Sequence, residues 1–187
     1  AITLWADRNI GAASETEPGL YFQWGDVEGF SKDSGRYCDA ERQSERVWTG
    51  DYAATHGCML GNKQNIPIDP YFDAARKNMG GEWRMPTTAE FQELLNSEYT
   101  TNEWLNDYDD SQMSGLLVTS KANGNTLFFP AAGYFGGGIH EEYSSGFYWS
   151  SSYSDESRAC PLYFDSGDVY PVESSLRYLG FSVRAVQ

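Results

Sequence analysis

Residues 81–95 read Gly81-Glu82-Trp83-Arg84-Met85-Pro86-Thr87-Thr88-Ala89-Glu90-Phe91-Gln92-Glu93-Leu94-Leu95, and the fold class follows from how they are arranged. Thr87 and Glu90 have the spacing of a capping box, in which each side chain satisfies a backbone N–H at a helix start. Pro86, just before it, has a fixed φ and sets the angle at which the chain arrives. Phe91, Leu94 and Leu95 then fall at i, i+3 and i+4, the apolar stripe of a helix. A stripe this short predicts a helix packed against some other element. Gly81, two positions before Trp83, suits a tight turn leading into a buried aromatic.

Upstream, Asp69-Pro70 predicts a first helix, because Asp is a good N-cap and Pro belongs at the first helical position. Ala74, Ala75 and Met79 continue it, and Gly80-Gly81 stops it. Downstream the pattern changes to short strands. Leu116–Thr119 and Thr126–Phe129 flank Asn123-Gly124, a hairpin signal. Phe147–Ser150, Leu162–Phe164 and Phe181–Arg184 are further strand candidates, and residues 25–66 and 130–145 read as long irregular stretches. Two helices followed by a mostly antiparallel sheet make an α+β pattern. The 187 residues fit one domain, 1–187, large enough to bury a core without a metal or disulfide.

Composition narrows the function. Acidic residues number 27 against 13 basic ones, a formal net charge of −14. Such a chain repels phosphate backbones, which argues against nucleic acid, and it is disfavoured at anionic membranes. No apolar run approaches a membrane span, so no membrane insertion is expected. The chain opens at Ala1 without an initiator Met or a signal peptide, as a trimmed chain would. Aromatic residues reach 16%, with 13 Tyr, which points to an exposed aromatic face as well as a core. Of the three cysteines, Cys38 and Cys58 could pair and leave Cys160 free, or all three could be thiols.

Six motifs occur in a recognisable order: Leu4–Ala12, Tyr21–Asp26, Gly81–Thr87, Phe128–Tyr134, Gly146–Ser151 and Gly180–Val186. Together they resemble the Fibrobacter succinogenes major paralogous domain family, abundant in Bacteroidetes surface proteins. The resemblance spans nearly the whole chain. It implies a C-type lectin-like fold, with two short helices packed on small antiparallel sheets, related to the scaffold of formylglycine-generating enzymes. The residues themselves read mainly as structure: Trp5, Trp24, Trp83 and Trp149 as core, and Arg184, alternating with Phe181 and Val183, as the anchor of a buried hydrogen-bond network.

Residues 153–178 are the unusual part, with 12 of 26 positions Tyr, Ser or Asp. Tyr gives large contact area at low entropy cost and Ser adapts its hydrogen bonds, which is the chemistry of binding loops. Framed by Trp149–Ser151 and Gly180–Arg184, the stretch reads as a displayed loop surface on a fixed scaffold. It also resembles the variable region of target proteins of diversity-generating retroelements, where adenine-directed mutagenesis acts largely at Asn codons. That resemblance implies a variable ligand-binding segment over 153–179, made of Tyr153, Ser154, Ser157, Cys160, Tyr163, Asp165, Asp168, Tyr170, Val172, Ser174, Ser175, Leu176, Tyr178 and Leu179. Glu156 and Glu173 are unreachable from such codons and would be fixed. An ordinary Ser- and Tyr-rich loop has the same composition.

Other chemistries find less support. Formylglycine-generating enzymes use two late cysteines, and here only Cys160 is late. Glu17-Pro18-Gly19 and Trp104-Leu105-Asn106-Asp107 do not match the calcium-dependent sugar motifs of C-type lectins, and Asn106–Asp110 lacks a calcium-loop spacing. His56 and His140 have no nucleophile motif beside them, and Gly136–Gly138 lacks the Lys and helix of a phosphate loop. The expectation is a non-enzymatic binding protein, without cofactor or metal, that meets an extracellular protein or glycan at a cell or virion surface. An enzyme of the formylglycine-generating kind and a structural module of a larger surface protein are the alternatives.

Overall fold

Asp73 divides the first predicted helix in two. In the computed structural model, which describes residues 3–35, 67–155 and 157–187, Asp69 caps only a 3₁₀ turn, Pro70–Phe72. Asp73 then adopts an extended backbone and caps a new helix, α1 (Ala74–Met79), by accepting from the N–H groups of Ala75 and Arg76. The same buried carboxylate accepts from Met85 N at 3.0 Å, which ties α1 to the segment leading into the second helix. That helix, α2 (Thr88–Leu94), carries the predicted capping box with both Thr87 and Glu90 bonds formed, and it buries Phe91 and Leu94.

The rest is a set of small antiparallel sheets, so the chain is α+β. Strands β1 (Thr100–Leu105), β2 (Gly115–Ser120) and β3 (Thr126–Pro130) form one sheet in that order. The predicted hairpin is β2–β3, with Leu116 opposite Phe129; its connection spans five residues, with Gly124 at φ +75°. Strand β1 was not predicted. Its Thr-Thr-Asn-Glu run is largely exposed, so no alternation marks it. Strands β4 (Tyr134–Phe135) and β5 (Ile139–His140) pair inside the stretch read as irregular.

The third sheet sits against the other two layers. Strand β6 (Ser145–Tyr153) pairs with β7 (Arg158–Asp165), while β8 (Val169–Tyr170) and β9 (Ser175–Leu176) follow one another along the far edge of β7. Pro161 lies in the middle of β7 and has no N–H to give to a ladder. Both neighbours change register around it: β6 between Trp149 and Tyr153, and the far edge between β8 and β9. The bulge in β6 turns Ser151 toward the helix-leading segment, where its N–H donates to Pro86 O at 2.8 Å and its hydroxyl to Met85 O.

The two faces of β6 serve different cores. Tyr148, with Leu162 and Phe164 of β7, packs on Phe91, Leu116 and Phe129. Trp149 faces Phe22, Trp24, Phe181 and Val183. Gly146 is required where the Phe164 ring crosses β6, because a Cβ there would overlap it. Phe181–Arg184 does not form a regular strand; it is held by single bridges, Phe22 to Phe181 and Tyr148 to Ser182. Arg184 is fully buried as expected. It donates to Asn9 Oδ1, Ala6 O and Phe128 O and lies 4.4 Å over the Phe129 ring. Trp24 and Trp149 are core; Trp5 and Trp83 are only partly buried at its margin.

Candidate functional site

The stretch 153–179 is not a loop. Twelve of its 27 residues form β7, β8 and β9, with a turn at 166–168 and the crossing 171–174 between them. Both faces of β7 are buried from Ala159 to Leu162, and from there the side chains alternate: Leu162 and Phe164 turn into a core, and Tyr163 and Asp165 turn outward. Of the fourteen predicted site residues, Ser154, Ser157, Asp168, Tyr170 and Ser174 are exposed. Tyr153, Tyr163, Asp165, Val172, Ser175, Leu176, Tyr178 and Leu179 are half-buried. Cys160 is the exception and corrects the expectation of a displayed residue: it is a free thiol at 9% exposure. Burial pushes this thiol up, against smaller opposing effects of Arg177 and Ser154, so it is a packing residue and a poor nucleophile. Cys38, Cys58, His56 and Glu156 lie outside the described residues.

The four tyrosines of the stretch, Tyr153, Tyr163, Tyr170 and Tyr178, separate into two places. At one end of the sheet, Tyr163 stacks with Tyr170 at 6.0 Å and meets Phe147 at 5.0 Å; Phe147 meets Tyr134 at 5.2 Å, and Tyr134 stacks on His140 at 5.1 Å. These five rings form one row, from exposed Tyr170 to exposed His140, with three half-buried rings between. The Tyr163 hydroxyl donates to Asp165 Oδ2 at 2.8 Å. Asp165 Oδ1 accepts from the N–H groups of Gly167 and Asp168, both at 2.8 Å. Those backbone donors, with Tyr163, hold the Asp165 carboxyl below its ordinary range. It is therefore ionised and fixed, and it sets both the turn and the angle of Tyr163.

At the other end, Tyr153 lies 6.3 Å from Trp24, and the Arg177 guanidinium lies over both rings, at 5.2 and 4.8 Å. Arg177 is buried and donates to Arg158 O at 3.2 Å and to Asp155 O, while its own N–H meets Ser157 O at 2.9 Å. It pins the tip of the β6–β7 hairpin to the scaffold. Beside it Ser154 and Ser174 share a hydrogen bond at 2.9 Å. Tyr178 is held through its carbonyl, which accepts from Gln23 Nε2 at 2.9 Å.

Arg177, Tyr134, Phe147 and His140 belong to these two places but were not predicted as site residues. Arg177 is one of two arginines, with Arg158, in a Ser- and Tyr-rich run, and nothing in the sequence separates it from a solvated side chain. Tyr134 and Phe147 reach the row only through sheet pairing. Among the described residues, no group of three or more His, Cys, Asp or Glu is placed to hold a metal ion, and no helix is long and apolar enough to cross a membrane.

Among known families, residues 100–186 match one described as a domain of unknown function, DUF8237. The matched segment begins at β1 and takes in every strand among the described residues, so it includes the whole aromatic row and the second place except Trp24, but neither helix. No curated protein and no solved structure matches the chain.

Proposed function

We propose that this protein is a non-enzymatic binding module of the C-type lectin-like class, displaying residues 153–179 to a protein or glycan outside the cell. The observation that carries this reading is the partition of that stretch. Its buried members (Ala159, Pro161, Leu162, Phe164 and Arg177) hold the sheet, and apart from Cys160 every predicted contact residue retains solvent exposure. Tyr, Ser and Asp on a surface pinned from below suit recognition, because the side chains change freely while the backbone is held by other residues. Two helices against small antiparallel sheets agree with the lectin-like class. Diversification by a retroelement, at the surface of a cell or virion, is the proposed source of the composition. The raised, buried thiol of Cys160 favours this reading over oxidase chemistry.

Replacement of Tyr163 and Tyr170 by Ala, scored for adhesion to a glycan array and to intact cells of the source community, tests the proposal. Adhesion lost with an unchanged unfolding midpoint supports it. Adhesion retained, or a midpoint that collapses, overturns it.

A further inference from the structure

The aromatic row is set in acceptors. The Tyr163 hydroxyl gives its proton to Asp165, and its oxygen is also engaged by the Ser145 hydroxyl, so the phenol is fixed in place. Asp165 is held ionised, Asp168 is an exposed carboxylate in the same turn, and Glu141 is close enough to Tyr163 to act on its phenol electrostatically. Lys32 is paired with Glu142 at 2.8 Å. Aromatic faces bordered by carboxylates attract a cation through the ring quadrupole and through charge together. A planar guanidinium fits best, because it stacks on a ring while its edge donates to carboxylates. The molecule stacks guanidinium groups on rings itself, with carbonyl and amide oxygens accepting from their edges: Arg177 lies over Trp24 and Tyr153, and Arg184 over Phe129.

We infer that the row Tyr134–Phe147–Tyr163–Tyr170, with Asp165, Asp168 and Glu141 at its border, receives an arginine side chain of a basic protein partner. The inference rests on the reading of 153–179 as a binding face, and it selects protein over glycan as the ligand class. A pyranose would also stack on these rings, but its hydroxyls donate and accept in equal measure, and the polar atoms here are mostly acceptors.

The test is a titration followed by the tyrosine ring resonances. The probes are acetyl-Gly-Arg-Gly-Arg-Gly-amide, the same peptide with Glu for Arg, methyl α-mannoside and methyl β-galactoside. The arginine peptide should shift the Tyr163 and Tyr170 rings saturably, and the glutamate peptide should not. Tyr170→Ala should weaken binding about tenfold. Asp168→Asn, or raising salt from about 50 to about 500 mM, should weaken it severalfold. Circular dichroism checks that each variant folds. Glycosides that shift these rings while the arginine peptide does not would overturn the inference and leave the binding face standing as a glycan platform. Equal response to both peptides, an arginine titration indifferent to Tyr170→Ala, or silence from every probe would also overturn it; the adhesion assay judges the binding face separately.

Discussion

Residues 145–152 bury every side chain except Phe147, whereas residues 153–179 bury only the run Ala159–Leu162, Phe164 and Arg177 among those described. The two regions are consecutive in the chain and pair in one sheet. Strand β6 up to Ser152 lies between two cores, so both its faces are committed. The stretch that follows buries both faces of β7 over Ala159–Leu162, and beyond Leu162 it has one face on a core and the other toward water. One sheet thus carries a region where nearly any change costs stability and a region where most changes should cost little.

The sharpest way to break that contrast is Trp149→Ala. It empties a fully buried site and removes the indole N–H that donates to Phe22 O at 2.7 Å, leaving that carbonyl only the N–H of Phe181. A loss of about 3–5 kcal/mol is expected in urea unfolding. Arg184→Met should cost about 3 kcal/mol, because three or more buried hydrogen bonds lose their donor. Arg177→Met is the mixed case. It should cost about 2 kcal/mol, concentrated as faster amide exchange at 154–158, because this side chain holds the hairpin tip.

Glu90→Gln probes the framework through pH. Burial would raise the Glu90 carboxyl, but the Arg84 guanidinium, at 2.6 and 2.9 Å, and the Thr87 donors outweigh it and hold the pKa below the ordinary value. A depressed carboxyl contributes stability above its unfolded pKa and loses it as pH falls through the folded one. The variant should be about 1–2 kcal/mol less stable at neutral pH, and the difference should shrink as pH falls through the carboxylate range and vanish once the folded carboxyl is protonated. A constant gap across pH would contradict this account of the pair. Smallest of all, Ser154→Ala, Asp168→Asn and Tyr170→Ala should each change stability by under about 0.5 kcal/mol.

Local signals were the legible ones. The capping box, the Asn123-Gly124 connection and the two strands flanking it lie within a few residues of their partners, and they form as expected. The break at Asp73 was hidden because the carboxylate's deciding partner, Met85 N, is twelve positions away. Strand β1 was hidden because it exposes polar residues at a sheet edge. The character of 153–179 was legible as composition but not as geometry. The strand candidate Leu162–Phe164 caught the centre of β7, but the rest of the strand was read as loop because its residues are mixed with Tyr, Ser and Asp. The aromatic row draws on residues 134–170 and exists only once three strand pairings are made.

Deep sequencing of this gene across many cells of its source population tests the central claim most directly. The account predicts substitutions concentrated within 153–179 at the solvent-facing positions, Tyr153, Ser154, Ser157, Tyr163, Asp168, Tyr170 and Ser174 among them, with Ala159, Pro161, Leu162, Phe164 and Arg177 unchanged. A stretch as uniform as the rest of the chain, or substitutions falling equally on its buried residues, would contradict it.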